Sequence, residues 1–154
     1  MLLARDSSIG SARRARDYPR FLVYPLGPEM SMTQNTFASW LDAYGRAWTS
    51  RDPQASADLF AADGTYQVTP FAEPLRGRQA ILDYWTHVTQ TEHDIQFGYE
   101  ILSVTPEQGI ARWWASFVIA PPGLQTKLDG IFLISLDENG RCRSLREWWH
   151  KLQD

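Results

Sequence analysis

The chain has one cysteine, Cys142. That excludes an internal disulfide, and one thiol is too few for a cysteine-built zinc site. No apolar run approaches the roughly 20 residues that a membrane-spanning helix needs. The net charge is only −3, so there is no basic footprint of the kind that binds nucleic acid. There is no glycine-rich phosphate loop, no G-x-S-x-G elbow and no Cys-His pairing around Cys142. The three histidines, His87, His93 and His150, have no metal-ligand spacing with a carboxylate. Neither a metal nor a cofactor is therefore expected. Lysine is scarce as well: Lys127 and Lys151 are the two, leaving 13 of the 15 basic residues as arginine. This is a compositional pointer to a GC-rich bacterial source.

Aromatic residues, in contrast, are plentiful: 13% of 154 residues, with seven tryptophans. The length suits one domain with a single core. Residues 1–31 carry five arginines against Asp6, Asp17 and Glu29, a net of +2, while the rest carries 10 basic and 15 acidic residues, a net of −5. Arg13-Arg14 and Phe21–Tyr24 superficially look like an export signal, but Pro25 and Pro28 cut the apolar stretch below the roughly 7–15 residues required. Residues 1–31 read as a disordered or loosely docked extension, and 32–154 as the domain. Met30 or Met32 as the natural initiator would also explain the extension. A cytoplasmic location is the expectation.

Phe37, Trp40, Leu41, Tyr44 and Trp48 recur at helical spacing, and Ser31 with Gln34 offers a capping box. Asp52-Pro53 supplies an N-cap and a first-turn proline for a short helix carrying Leu59 and Phe60, stopped by Asp63-Gly64. Thr65–Thr69 reads as a strand with Tyr66 and Val68 on one face. A third helix follows Gly77, with Ile81, Leu82, Trp85 and Val88 as its buried stripe. From about Ile95 the period changes to 2, and turn residues at Thr105–Gly109, Pro121–Gly123 and Asp137–Gly140 separate four strands. Helices first and a meander afterwards predict an α+β fold, helices packed on one face of a curved antiparallel sheet.

The last strand holds Leu145-Arg146-Glu147-Trp148-Trp149-His150. Alternation puts Leu145, Glu147 and Trp149 on one face and Arg146, Trp148 and His150 on the other. Adjacent Trp113 and Trp114 likewise point opposite ways. Both faces of the sheet are thus expensive to leave in water, and a carboxylate, Glu147, lies on an apolar one.

Leu59-Phe60-Ala61-Ala62-Asp63-Gly64-Thr65-Tyr66, Gly77-x-x-Ala80-Ile81-x-x-Tyr84-Trp85, Asp129-Gly130-Ile131-Phe132 and Arg146-Glu147-Trp148-Trp149 occur in this order. Over roughly residues 33–152 the chain resembles the SnoaL-like branch of the nuclear transport factor 2-like superfamily. The resemblance implies a cone, in which a bent sheet wraps a long helix around an apolar pocket, often with a dimer across the outer sheet face. Members include isomerases, dehydratases, epoxide hydrolases, polyketide cyclases and proteins without a reaction, so fold alone does not assign function. Against ketosteroid isomerase, Tyr44 takes the place of the oxyanion-hole tyrosine. Val68 or Thr69 stands where the base should be, and Phe132 replaces the second acid. Against limonene epoxide hydrolase, Arg146-Glu147-Trp148-Trp149 resembles the strand whose acid positions water. Arg112 matches an arginine of the earlier pair, and Trp114 replaces its aspartate. Neither catalytic set is complete.

Glu147 is the first candidate acid or base, because desolvation on an apolar face raises a carboxyl pKa. The alternative is an arginine partner that merely satisfies the sheet. Asp129, turned inward by a bulge at Gly130 or else left in a surface ion pair, is the second. Tyr44 is a candidate hydrogen-bond donor, and Trp48, Arg112, Trp113, Phe132 and Trp149 are candidate ligand contacts. The reading is a homodimeric protein binding a small apolar molecule, with cofactor-free acid–base isomerisation, dehydration, cyclisation or hydrolysis as its chemistry. A noncatalytic binding or dimerisation module is the alternative. A pocket of roughly 300 Å³ or more is the expected sign of a ligand site.

Overall fold

The computed structural model describes residues 32–154; the extension and Ser31 lie outside them. Helices α1 (Gln34–Thr49) and α2 (Pro53–Asp58) lead into strand β1 (Phe60–Gln67). A two-residue β2 (Leu75–Arg76) precedes α3 (Gly77–Thr91), and β3 (Glu92–Val104), β4 (Gly109–Ile119), β5 (Leu124–Leu136) and β6 (Cys142–Gln153) complete the chain. The strands form one sheet in the order β2-β1-β6-β5-β4-β3. It is antiparallel except where β1 runs parallel to β6, a pairing made possible by the long excursion through α3 and the meander.

The α1 stripe forms as its spacing demands: Phe37, Trp40, Leu41, Tyr44 and Trp48 are all buried. The capping box is Thr33 with Thr36. The Thr36 backbone N–H donates to Thr33 Oγ1 at 3.2 Å, and the Thr33 N–H donates to Thr36 Oγ1 at 2.9 Å. Two hydroxyls one turn apart satisfy the exposed donors that Ser31 and Gln34 were expected to serve. Asp52 caps α2 as expected, its Oδ1 accepting from the Ala55 N–H at 2.9 Å.

The next boundary differs. The helix ends at Asp58, Phe60 already pairs with Cys142 of β6, and Asp63-Gly64 lies inside β1 at a register shift. A Cβ on Gly64 would sit 2.7 Å from the Cys142 carbonyl oxygen. Glycine here admits a close backbone approach rather than stopping a helix.

The sheet curls its inner face around α1 and α3. Trp113 stacks on Phe132 at 4.9 Å and 13°. Tyr44 meets Phe132 and Trp85 edge-on at 5.3 and 5.4 Å. Such offset and edge geometries are the ones aromatic quadrupoles favour. Among the described residues no helix is long and apolar enough to cross a membrane.

Candidate active site

Strand β6 lies between β1 and β5, so its inward side chains point into the middle of the molecule. Alternation assigned these faces correctly. Leu145 and Glu147 are buried and Trp149 is half-buried, whereas Arg146, Trp148 and His150 are exposed. Glu147 sits opposite Phe132 of β5 and is 3% exposed. It has no arginine partner among the described residues. Its Oε1 accepts a 2.8 Å hydrogen bond from the Tyr66 hydroxyl, which lies 3.5 Å from the Tyr44 hydroxyl. Its Oε2 is buried with no partner among the described residues. Burial pushes the Glu147 carboxyl up to about 8, with the Tyr66 hydrogen bond opposing the rise. A neutral carboxylic acid at pH 7 is the consequence. The Tyr66 bond leaves the acid proton on Oε2, the one oxygen free to give it.

Glu147 is among the residues lining a cavity of about 230 Å³ walled by aromatic rings, Trp48, Tyr66, Trp85, Trp113 and Trp149 among them, with Tyr44 and Tyr84 alongside. The volume is below the roughly 300 Å³ at which drug-sized sites begin. It equals the liquid share of about seven waters, enough for one compact ring. Trp149 is anchored by its indole N–H, which donates to the Val68 carbonyl at 2.9 Å. Two other walls are not anchored in this way: the indole nitrogens of Trp85 and Trp113 are buried without a partner among the described residues. Three orphan polar atoms thus belong to residues around one cavity, where most buried polar atoms in proteins are paired.

Trp113 faces inward and Trp114 is 42% exposed on the outer face. Phe132 is fully buried behind Trp113 and does not reach the cavity, contrary to expectation. Arg112 does not contact the cavity, contrary to expectation, and Asp129 takes the surface ion pair that was the alternative to an inward position. Both are exposed on the outer face, where the guanidinium grips the carboxylate through Nε at 3.0 Å and Nη2 at 2.5 Å. The Arg112 hydrogen bond holds the Asp129 carboxyl below its usual range. No bulge turns Asp129 inward, because β4, β5 and β6 keep continuous register through Asp129 and Gly130. Gly130 serves a tight backbone approach instead, since a Cβ there would collide with the Trp148 carbonyl and Trp149.

Among the cavity residues that had not been singled out as site residues are Tyr66, Tyr84 and Glu92. Tyr66 shares a face with Val68, which alternation already indicated. Tyr84 borders the α3 stripe beside Trp85. Glu92 escaped for a geometric reason. Strand β3 carries one extra residue against β4 between His93 and Gln96, and Asp94 adopts the left-handed φ of 52° there. The bulge inverts the alternation. Glu92, opposite Ile119, and Phe97, opposite Ala115, therefore both point inward. The Trp48 indole N–H donates to Glu92 Oε2 at 2.8 Å. Burial raises this carboxyl to about 7, the Trp48 bond opposing it.

A SnoaL-like domain model matches residues 41–145, more than half of the chain. The chain belongs to the SnoaL-like domain family. No match was found among curated proteins. Its fold is similar to that of Δ5-3-ketosteroid isomerase from Mycobacterium sp., at TM-score 0.67 and 17% identity, over 77% of this chain and 98% of that one. The epoxide hydrolase/cyclase-like enzyme SalBIII, described in pyran ring formation in the polyether salinomycin, is similar at TM-score 0.63 and 15% identity. There the match spans 75% of this chain and 88% of the other. A computationally designed 17-OHP binder is similar at TM-score 0.65 and 17% identity, over 76% and 96%. At such identities these likenesses carry the cone fold and nothing of the chemistry.

Proposed function

We propose that this SnoaL-like protein binds a compact, neutral, mostly apolar molecule bearing an acceptor oxygen, and that Glu147 serves as a cofactor-free general acid toward that oxygen. The supporting observation is Glu147 itself, a buried residue lining the cavity, with Oε1 held by Tyr66 and Oε2 without a partner among the described residues. A protonated Glu147 and the orphan indole N–H groups of Trp85 and Trp113 are all donors. A ligand oxygen would complete them, and the aromatic walls would cover its ring. Tyr44 supports Glu147 through Tyr66 rather than addressing the ligand alone.

Cyclohexanone is a suitable probe, because Trp48, Trp85, Trp113 and Trp149 make tryptophan emission a direct reporter of cavity occupancy. Affinity is expected to be constant below pH 7 and to fall about tenfold above pH 8, as Glu147 loses the donated proton. Asp129→Asn, on the outer face, should leave it unchanged. Affinity that is flat from pH 6 to pH 10 would contradict the assignment of Glu147.

The outer face fits a second copy of this chain. Trp114 and Trp148 are exposed there, each under an arginine, with Arg112 5.3 Å and Arg146 5.0 Å from the ring centroids. The same face carries Asp129 beside Arg112, so both signs are present and the patch can be self-complementary across a two-fold axis. Light scattering at micromolar concentration is expected to give a dimer, reduced to a monomer by Trp114→Glu with Trp148→Glu. A monomeric parent protein would contradict this.

A further inference from the structure

Glu92 reaches the cavity only through the β3 bulge, which places a non-glycine residue, Asp94, in the left-handed region. Such a conformation costs on the order of 1 kcal/mol and persists where the surroundings enforce it. Without the extra residue Glu92 would face solvent. Of its two oxygens, Oε2 is fixed by the Trp48 indole, and no hydrogen bond within the described residues engages Oε1. The titratable side chains sharing the cavity with Glu92 are Tyr44 from α1, Tyr66 from β1, Tyr84 from α3, and Glu147 and Lys151 from β6, while β4 and β5 contribute none. Among the described residues no arginine or lysine forms an ion pair with either glutamate.

The two carboxyls come from different walls, Glu92 from the start of β3 and Glu147 from the central strand β6. Burial dominates the rise of each carboxyl, opposed by a Trp48 hydrogen bond at Glu92 and a Tyr66 hydrogen bond at Glu147. Tyr84 does feel both: after burial, Glu147 and then Glu92 raise its hydroxyl pKa further. Two carboxyls whose environments differ divide into an acid and a base. The more exposed one, held by an indole donor, is the better base.

We infer that Glu92 is the second proton-transferring residue of this site, abstracting a proton from carbon while Glu147 protonates the ligand oxygen. The inference rests on the function proposed for Glu147 and names its substrate class, compact ketones or related carbonyl compounds with an acidic C–H. The step is balanced. The C–H bond breaks and its proton bonds to a Glu92 oxygen. The C–H electron pair becomes the C=C bond of an enol, and the Glu147 O–H proton passes to the former carbonyl oxygen. Return of the Glu92 proton to carbon and of the enol proton to Glu147 restores both carboxyls, and no oxidant or co-reactant is consumed. In D₂O the proton held by Glu92 exchanges with solvent while the enol persists, a deuteron returns to carbon in its place, and the carbon beside the carbonyl is deuterated.

The test follows α-deuteration of cyclohexanone in D₂O by proton NMR, alongside its binding by tryptophan quenching. The parent protein should accelerate exchange. Glu92→Gln should lose 100-fold or more, the lower bound of a general base's contribution. It should still bind cyclohexanone and fold, because the amide oxygen can accept from the Trp48 indole. The parent rate should rise as Glu92 ionises near pH 7 and fall as Glu147 ionises near pH 8. Trp48→Phe removes the bond that lowers the Glu92 pKa and should move the rising limb to higher pH, a shift that a merely structural Glu92 would not show. Full exchange in Glu92→Gln, or an unmoved limb in Trp48→Phe, overturns the assignment. Binding without exchange in the parent overturns it too and leaves a binding protein. If the parent does not bind cyclohexanone at all, the function proposed for Glu147 fails first.

Discussion

Glu147→Gln is expected to melt at a higher temperature than the parent protein at pH 8, to melt like it at pH 5, and to have lost proton transfer. The carboxyl pKa rises from 4.5 to about 8 because the side chain is buried. Between those values the native state keeps a proton that the unfolded chain has released. Native stability therefore falls as pH climbs from 4.5 through 8, and the contribution present at low pH is gone above that. With about 1.4 kcal/mol per pKa unit, the cost at pH 7 is on the order of 3 kcal/mol. Glutamine never ionises and escapes this cost, but its amide still has one half without a protein partner. A net gain of about 5 °C at pH 8 is expected, at a few degrees per kcal/mol for a domain of this size. The amide can still donate to a ligand oxygen, so cyclohexanone should bind with an affinity that no longer depends on pH. A stabilising substitution that removes activity is the mark of a residue kept for chemistry. A lower melting temperature at pH 8 would instead make Glu147 a structural residue.

Trp113→Ala should have the opposite effect, a loss of about 3–5 kcal/mol. Trp113 is 2% exposed, stacks on Phe132 and meets Trp48 and Phe97 at 6.1 and 6.4 Å. Its removal leaves a void beside an existing cavity, and the surrounding rings can close over only part of it. Thermal melting should fall by roughly 10 °C or more. The enlarged space should admit a two-ring ketone such as 2-decalone, which would restore more melting temperature to the variant than to the parent protein. A loss below about 1 kcal/mol, or no differential rescue, would show that Trp113 does not partition core from cavity.

The parts of the site that are legible in the sequence are those where periodicity runs unbroken. The α1 stripe delivers Tyr44 and Trp48, and strict alternation along β6 from Ser144 onward delivers Glu147 and Trp149, because the one extra residue of β6, at Arg143, lies before that stretch. Asp129 fails for the same reason: regular register through Gly130 leaves it on the face that alternation assigns, paired with Arg112. Glu92 was hidden by the reverse situation. Counting back from Phe97 and Ile95 by twos passes over position 92, and only the extra residue at the β3 bulge turns it inward. Nothing in Glu92-His93-Asp94 announces a bulge; aspartate tolerates the left-handed region but does not demand it. The α2–β1 boundary was hidden in a similar way, since Asp63-Gly64 looks like a stop and serves instead as a close approach between β1 and β6.

The proposed chemistry depends on Glu147 being a neutral acid inside the cavity, and carbon-13 NMR of its side-chain carboxyl across pH 4–10 measures this directly. A midpoint near 8, moving upward when cyclohexanone occupies the cavity, is the predicted result. A midpoint near the ordinary glutamate value of about 4.3 would contradict it.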